Sequence, residues 1–178
     1  MRHSLLTVLL LGAATILHAD NLPKEVQIPF AGEQFKYVTF YAPPAERGQV
    51  QVRKEDGTLH LEWKTRTKIS KACFNAKLFE GILADLQGKK IQPVEFVVGI
   101  RYEGTDLPKI ETYLYSSKFK RNKPFYFRLK QGYSEYSIKY DDLPNLDQYQ
   151  IRGPVSGSKS FIVEKLAFRM KTAESNGK

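Results

Sequence analysis

Apolar and polar residues alternate with a period of two along most of this chain, the rhythm of strands with one buried face. Val26, Ile28 and Phe30 begin the pattern, and Pro29 marks that piece as an edge. Phe35, Tyr37, Thr39 and Tyr41 continue it after Gly32, until Pro43-Pro44 stops pairing. Val50 and Val52 run through Glu55-Asp56-Gly57 into Leu59, Leu61 and Trp63, a hairpin that puts Trp63 on the leucine face and therefore in the core, with His60 and Glu62 opposite. Val94, Phe96, Val98, Ile100 and Tyr102 make a long strand ending at Glu103-Gly104-Thr105-Asp106. Ile110, Thr112 and Leu114 then interleave with Glu111, Tyr113 and Tyr115. Phe125, Phe127 and Leu129 alternate with Tyr126, Arg128 and Lys130, and Gln131-Gly132 reads as a tight turn into Tyr133–Tyr140, so the pattern predicts a hairpin over 125–140. A short strand over Tyr149–Arg152 follows, and the last runs from Ser160 to Met170 with Ile162, Leu166, Phe168 and Met170 on one face.

One segment breaks the rhythm. Between Ile69 and Lys90, Ala72, Ala76, Phe79, Leu83 and Leu86 recur at helical spacing, with Ser70 placed to cap and Gly88 to stop. A helix is expected there, and a strand followed by a turn at Asp85–Gly88 is the alternative, because Cys73, Phe74, Leu78 and Ile82 widen the apolar surface and Gly81 interrupts it. Nine or ten strands with at most one short helix make the fold class all-β, an antiparallel β-sandwich or jelly roll.

The first nineteen residues stand outside that fold. Arg2 and His3 precede an apolar run from Leu5 to Leu17, and small Ala19 offers a cleavage point, the plan of a secretory signal peptide. The run is shorter than the roughly twenty residues a spanning helix needs, so no transmembrane segment is expected in the mature chain. Residues 20–170 then form a single β-sandwich domain and 171–178 a polar tail, and the protein is expected to be secreted or held in the periplasm or cell envelope. Cys73 is the sole cysteine, so the core must hold the fold without an internal disulfide, and among Ala72, Phe74 and Ala76 it behaves as a small hydrophobe.

Charge directs attention to one stretch. Without the leader, 27 Lys and Arg oppose 19 acids, a net charge of +8 that favours anionic partners. From Tyr113 to Tyr140 nine aromatic residues and seven cations accompany a single acid, Glu135. Strand parity turns Tyr113, Tyr115, Tyr126 and Arg128 outward, next to a loop carrying Lys118, Lys120, Arg121 and Lys123. Exposed rings with cations around them are built to stack on planar faces and hold anions. These eight residues are the candidate ligand-binding set, and each ring also has an ordinary structural use as a strand former. The expected partner is a glycan or other anionic polymer; an envelope protein with an acidic surface is the alternative, and nucleic acid is not expected.

Catalytic signatures are sparse. His3 and His18 lie in the leader, which leaves His60, mid-strand and without a glycine-rich turn, as the sole histidine for a triad. One His and one Cys cannot make a zinc site, and no phosphate-cradling glycine loop is present. Asp141 with Asp142, and Glu103 with Asp106, are the acid pairs open to glycosidase chemistry; a lyase using Tyr and Lys on the basic sheet is the remaining enzymatic reading. No catalytic or metal residue is assigned.

The closing third carries a resemblance. PFYFRL, the polar run EYSIKYDDLP, then IRGP and the final FIVEKLAFR resemble, over roughly Val94 to Met170, the end of galactose-binding-like β-sandwiches, the architecture of many carbohydrate-binding modules. The resemblance implies a jelly roll that binds glycans on an exposed sheet face or in end loops. It also implies no cofactor beyond a structural calcium, for which no carboxylate cluster here names ligands.

Overall fold

In a computed structural model the chain is described over residues 24–55, 57–65, 69–116, 121–154 and 159–171, with the backbone alone at 121–123 and 154. The strands are β1 (Glu25–Gln27), β2 (Val38–Tyr41), β3 (Val50–Glu55), β4 (Thr58–Trp63), β5 (Lys71–Asn75), β6 (Pro93–Tyr102), β7 (Lys109–Ser116), β8 (Arg121–Arg128), β9 (Gly132–Lys139), β10 (Leu146–Pro154) and β11 (Lys159–Met170). A single α-helix, α1 (Glu80–Gly88), and four short 3-10 turns complete the described residues. A six-stranded sheet runs β3-β4-β11-β6-β9 with β1 added to β11, and a five-stranded sheet runs β2-β5-β10-β7-β8. Every pairing is antiparallel, which gives the all-β sandwich that the alternation predicts.

Aromatic side chains from both sheets meet between them. Phe96 of β6 lies 4.9 Å, centroid to centroid, from Tyr149 of β10 and 5.8 Å from Phe168 of β11, while Phe74 of β5 approaches Tyr149 at 5.5 Å. Phe79, just ahead of α1, packs edge-on against Phe96 at 6.1 Å, so the helix closes the core with Leu86 buried beneath it. Trp63 is fully buried and stacks on Phe161 at 5.4 Å, in the core as its parity required. Gly153 on β10 makes room for it: a Cβ there would collide with the indole.

Local pattern and observed structure part in four places. The segment expected as one helix over Ile69–Lys90 is a strand through Asn75 and a helix only from Glu80; Ala72 and Phe74 are buried in β5, where β10 and β2 offer ladder partners that an isolated helix lacks. Phe35 and Tyr37 stand in a 3-10 turn over Gly32–Tyr37, and in β2 it is Val38 that is buried while Tyr41 faces solvent. In β11 a register shift between Val163 and Lys165 reverses parity, so Phe161 and Val163 point inward ahead of it and Leu166 and Phe168 after it, while Ile162 lies on the outer side.

The fourth is the hairpin over 125–140, which does not form. β8 pairs with β7 in one sheet and β9 with β6 in the other, so the chain crosses between sheets at 129–131. Gly132 has φ +81°, a left-handed backbone that suits the turn after the crossing. Tyr136 fastens it: its ring stacks on Phe127 at 4.7 Å, and its hydroxyl donates to the Arg128 carbonyl at 3.1 Å and accepts from the Lys130 N–H at 3.2 Å. The consequence is that Tyr133 and Glu135 belong to a different outer face from Tyr113 and Tyr126.

Part of that other face, on the six-stranded sheet around β1, β9 and the second half of β11, is closed by ion pairs. Lys165 meets Glu25 at 2.6 Å and Glu135 at 2.7 Å; Arg169 meets Glu95 at 2.9 Å and both Glu25 and Glu135 at 3.4 Å. The Lys165 ammonium holds the Glu135 carboxyl below its usual value of 4.5. A carboxyl depressed in the folded state adds stability above its unfolded pKa and loses it as pH falls through the folded value. Urea unfolding from pH 7 down to pH 3 should therefore show stability falling below about pH 4.5, with a shallower fall for Glu135→Gln. No helix of the described residues is long and apolar enough to cross a membrane.

Candidate functional site

The outer face of the five-stranded sheet is organised in cross-strand rows. One row reads Tyr41, Lys71, Arg152, Glu111, Tyr126 from β2 to β8. The next reads Thr39, Cys73, Gln150, Tyr113, Pro124, and the third places Asn75, Gln148 and Tyr115 side by side. Five strands at the usual spacing make each full row roughly 19 Å wide. Tyr41 and Tyr126 end the first row at 51 % exposure each, while Gln150 and Cys73 in the middle of the second are buried at 7 % and 5 %. Exposed rings thus flank a lower polar floor.

Glu111 is the hub of this face, and among the described residues it is the only carboxylate in the three rows. Its Oε1 accepts from the Tyr113 hydroxyl at 2.6 Å and from the Tyr126 hydroxyl at 3.1 Å, fixing both rings. Burial, with the Glu111 hydrogen bond, pushes the Tyr113 phenol up to about 12 against the opposing pull of Arg152. The Tyr126 phenol is raised by its hydrogen bond to the same carboxylate. Phenols held protonated donate hydrogen bonds, here to the Glu111 carboxylate. Arg152 lies over the Tyr113 ring at 4.1 Å and Lys109 over the Tyr126 ring at 4.0 Å. On the floor, the Gln148 amide donates to Asn75 Oδ1 at 3.0 Å and the Gln150 amide to Gln148.

Of the eight residues expected to bind, Tyr113, Tyr115, Tyr126 and Arg128 share this face, Arg128 opposite Lys109 at its margin. Lys118 and Lys120 lie outside the described residues, as do the side chains of Arg121 and Lys123. Sequence parity missed Glu111, which has the same phase as Tyr113 and Tyr115 and was legible, and also missed Lys71, Gln148, Gln150 and Arg152, which only the non-local pairing of β10 with β5 and β7 brings alongside.

One acid of each pair open to catalysis has structural partners. Asp142 is buried, accepting from Ser116 and, at 2.5 Å, from Asn145. Asp106 pairs with Lys159 and accepts from Tyr102, and the Lys159 bond in first place lowers its pKa. The Cys73 thiol is raised by burial, with Lys71 and Arg152 pulling the other way, so it is no ready nucleophile.

No protein-family model and no curated protein sequence matches the chain. Solved structures do. A variant of a family 29 carbohydrate-binding module in complex with cellulohexaose aligns with a TM-score of 0.54 at 9 % identity, covering 85 % of this chain and 94 % of that one. A further variant of that module gives 0.53 at 9 % identity over 82 % and 91 %. This chain has the jelly-roll fold of a carbohydrate-binding module. The resemblance of its closing strands to galactose-binding-like sandwiches is therefore borne out as fold. Another variant of the module, complexed with mannohexaose, aligns with a TM-score of 0.50 at 8 % identity over 78 % and 83 %. On this module fold, the paired tyrosines and amide floor lie on one outer sheet face, and the ion-pair network on the other.

Proposed function

We propose that the chain is an exported, non-catalytic module that binds a glycan, anionic or neutral, on the outer face of the five-stranded sheet. The observation that carries the reading is the pinning of Tyr113 and Tyr126 by one carboxylate: two rings, diagonal to one another across β7 and β8, held by Glu111 beside a floor of amides. Rings offer apolar faces for sugar C–H surfaces, and amide side chains both donate and accept, as sugar hydroxyls require. The fold is shared with modules solved with cellulohexaose and mannohexaose, which supports a saccharide as the ligand class. Tyr115 and Arg128 extend the face, and the leader read over residues 1–19 delivers it outside the cytoplasm.

Affinity electrophoresis through gels loaded with soluble glucans, mannans and polyuronates tests this. The wild-type protein should be retarded by at least one of them, and Tyr126→Ala should raise the dissociation constant by about five- to tenfold, the lower end of the range of about 1–3 kcal/mol for one aromatic stack. Free migration in all three, together with capture of the same face by an acidic protein, would replace the glycan with a protein partner.

A further inference from the structure

The centre of the first row contains an arrangement that folding alone disfavours. Lys71 of β5 and Arg152 of β10 are directly opposite in the antiparallel register, two like charges where side chains come closest. They lean apart, Lys71 to within 5.9 Å of the Tyr41 ring and Arg152 to 4.1 Å from the Tyr113 ring. Arg152 is also under-satisfied. Its Nε is buried without a hydrogen-bond partner among the described residues, and its approach to Glu111 is a loose 3.9 Å. A second like-charged pair, Lys109 opposite Arg128, stands at the margin of the same face. The opposite sheet shows how this chain treats cations it uses for stability: Lys165 and Arg169 each meet two or more carboxylates at 3.4 Å or less.

We propose that the gap between Lys71 and Arg152 receives the carboxylate of a uronic acid, so that the glycan held on this face is a polyuronate. The inference rests on the glycan-binding reading above and narrows it. A guanidinium presents a planar fork that matches two carboxylate oxygens, and an ammonium beside it adds a point charge. An anion seated there relieves the repulsion across the β5–β10 pair and offers the terminal guanidinium nitrogens of Arg152, whose Nε is buried, a closer acceptor than Glu111 at 3.9 Å. Tyr41 and Tyr113, on either side of the gap, then flank the sugar ring that carries the acid. The exposed rings at both ends of the row suit a chain that continues past the anchored residue.

Isothermal titration with hexagalacturonate, its carboxyl-reduced counterpart, cellohexaose and a sulfated cello-oligosaccharide tests the assignment on wild type, Arg152→Gln and Lys71→Gln. Arg53→Gln, on the opposite sheet, serves as control, and thermal unfolding verifies each fold. The wild type should prefer hexagalacturonate over its reduced form by about tenfold or more, the size of one charge-assisted hydrogen bond. Either variant should erase most of that preference while changing cellohexaose binding much less. Equal binding of the uronate and its reduced form, or equal losses for charged and neutral ligands in both variants, would overturn the proposal while leaving a glycan-binding face. Equal binding of the sulfated oligosaccharide would overturn the choice of carboxylate. Binding of none of the four by folded wild type would overturn the uronate assignment, and free migration through glucan, mannan and polyuronate gels as well would remove the glycan reading itself. Lys71→Gln keeps the test decisive if Arg152→Gln unfolds.

Discussion

Tyr113→Ala should weaken glycan binding by roughly ten- to a hundredfold, the larger part of what this face contributes, taking about 1–3 kcal/mol for a lost aromatic stack. Tyr113 ranks above Tyr126 because it is held more tightly and nearer the middle of the face: its hydroxyl donates to Glu111 at 2.6 Å, against 3.1 Å for Tyr126, and the cation over its ring, Arg152 at 4.1 Å, comes from the central strand β10. Removing the ring therefore loses its own surface and releases both neighbours. Tyr113→Phe separates the contributions. It keeps the ring and the cation–π contact, and should stay within a few-fold of wild type, since a partly exposed hydrogen bond is worth about 1 kcal/mol. Titration calorimetry with the tightest-binding oligosaccharide reads both. Loss in the phenylalanine variant as large as in the alanine variant would make the hydroxyl, not the ring, the binding element.

The largest stability effect should come from Trp63→Ala, at about 3–5 kcal/mol, the usual cost of truncating a large buried aromatic. Trp63 joins the ends of both sheets: it projects from β4, stacks on Phe161 of β11, and lies against Gly153 of β10 in the facing sheet. A melting temperature roughly 10 °C lower is the expected reading for a domain of this size. Gly153→Val attacks the same contact from the other side, because its side chain would overlap the indole, and should cost about 1–3 kcal/mol through overpacking. A melting temperature unchanged in both variants would mean that this corner contributes little to the core.

Wherever one face of a strand is buried and its partner is a neighbour in sequence, the fold was legible. Leu59, Leu61 and Trp63 alternate with polar residues and pair with β3 through a tight turn, so period and register agree. It was not legible at Gln131-Gly132, where the same residues suit a hairpin turn and a crossing between sheets; the stack of Tyr136 on Phe127, which sets the crossing, is a tertiary contact. Nor was it legible at Glu164, where a bulge reverses parity and lets the carboxylate reach Arg101 at 2.5 Å. The binding face divides in the same way. Tyr113, Tyr115 and Tyr126 show in the alternation of β7 and β8, which are joined by one short connection. Lys71 and Arg152 do not, because 81 positions separate them and only the insertion of β10 between β5 and β7 sets them opposite one another.

Backbone amide shifts followed by NMR during titration with an oligosaccharide hexamer test the location of binding most directly. Shifts should concentrate at 71–75 of β5, 111–115 of β7 and 148–152 of β10, and in Tyr113→Ala should require roughly ten- to a hundredfold more ligand. Shifts centred on the opposite sheet, at β3, β4 and the 103–106 turn, with β7 and β10 silent, would contradict it.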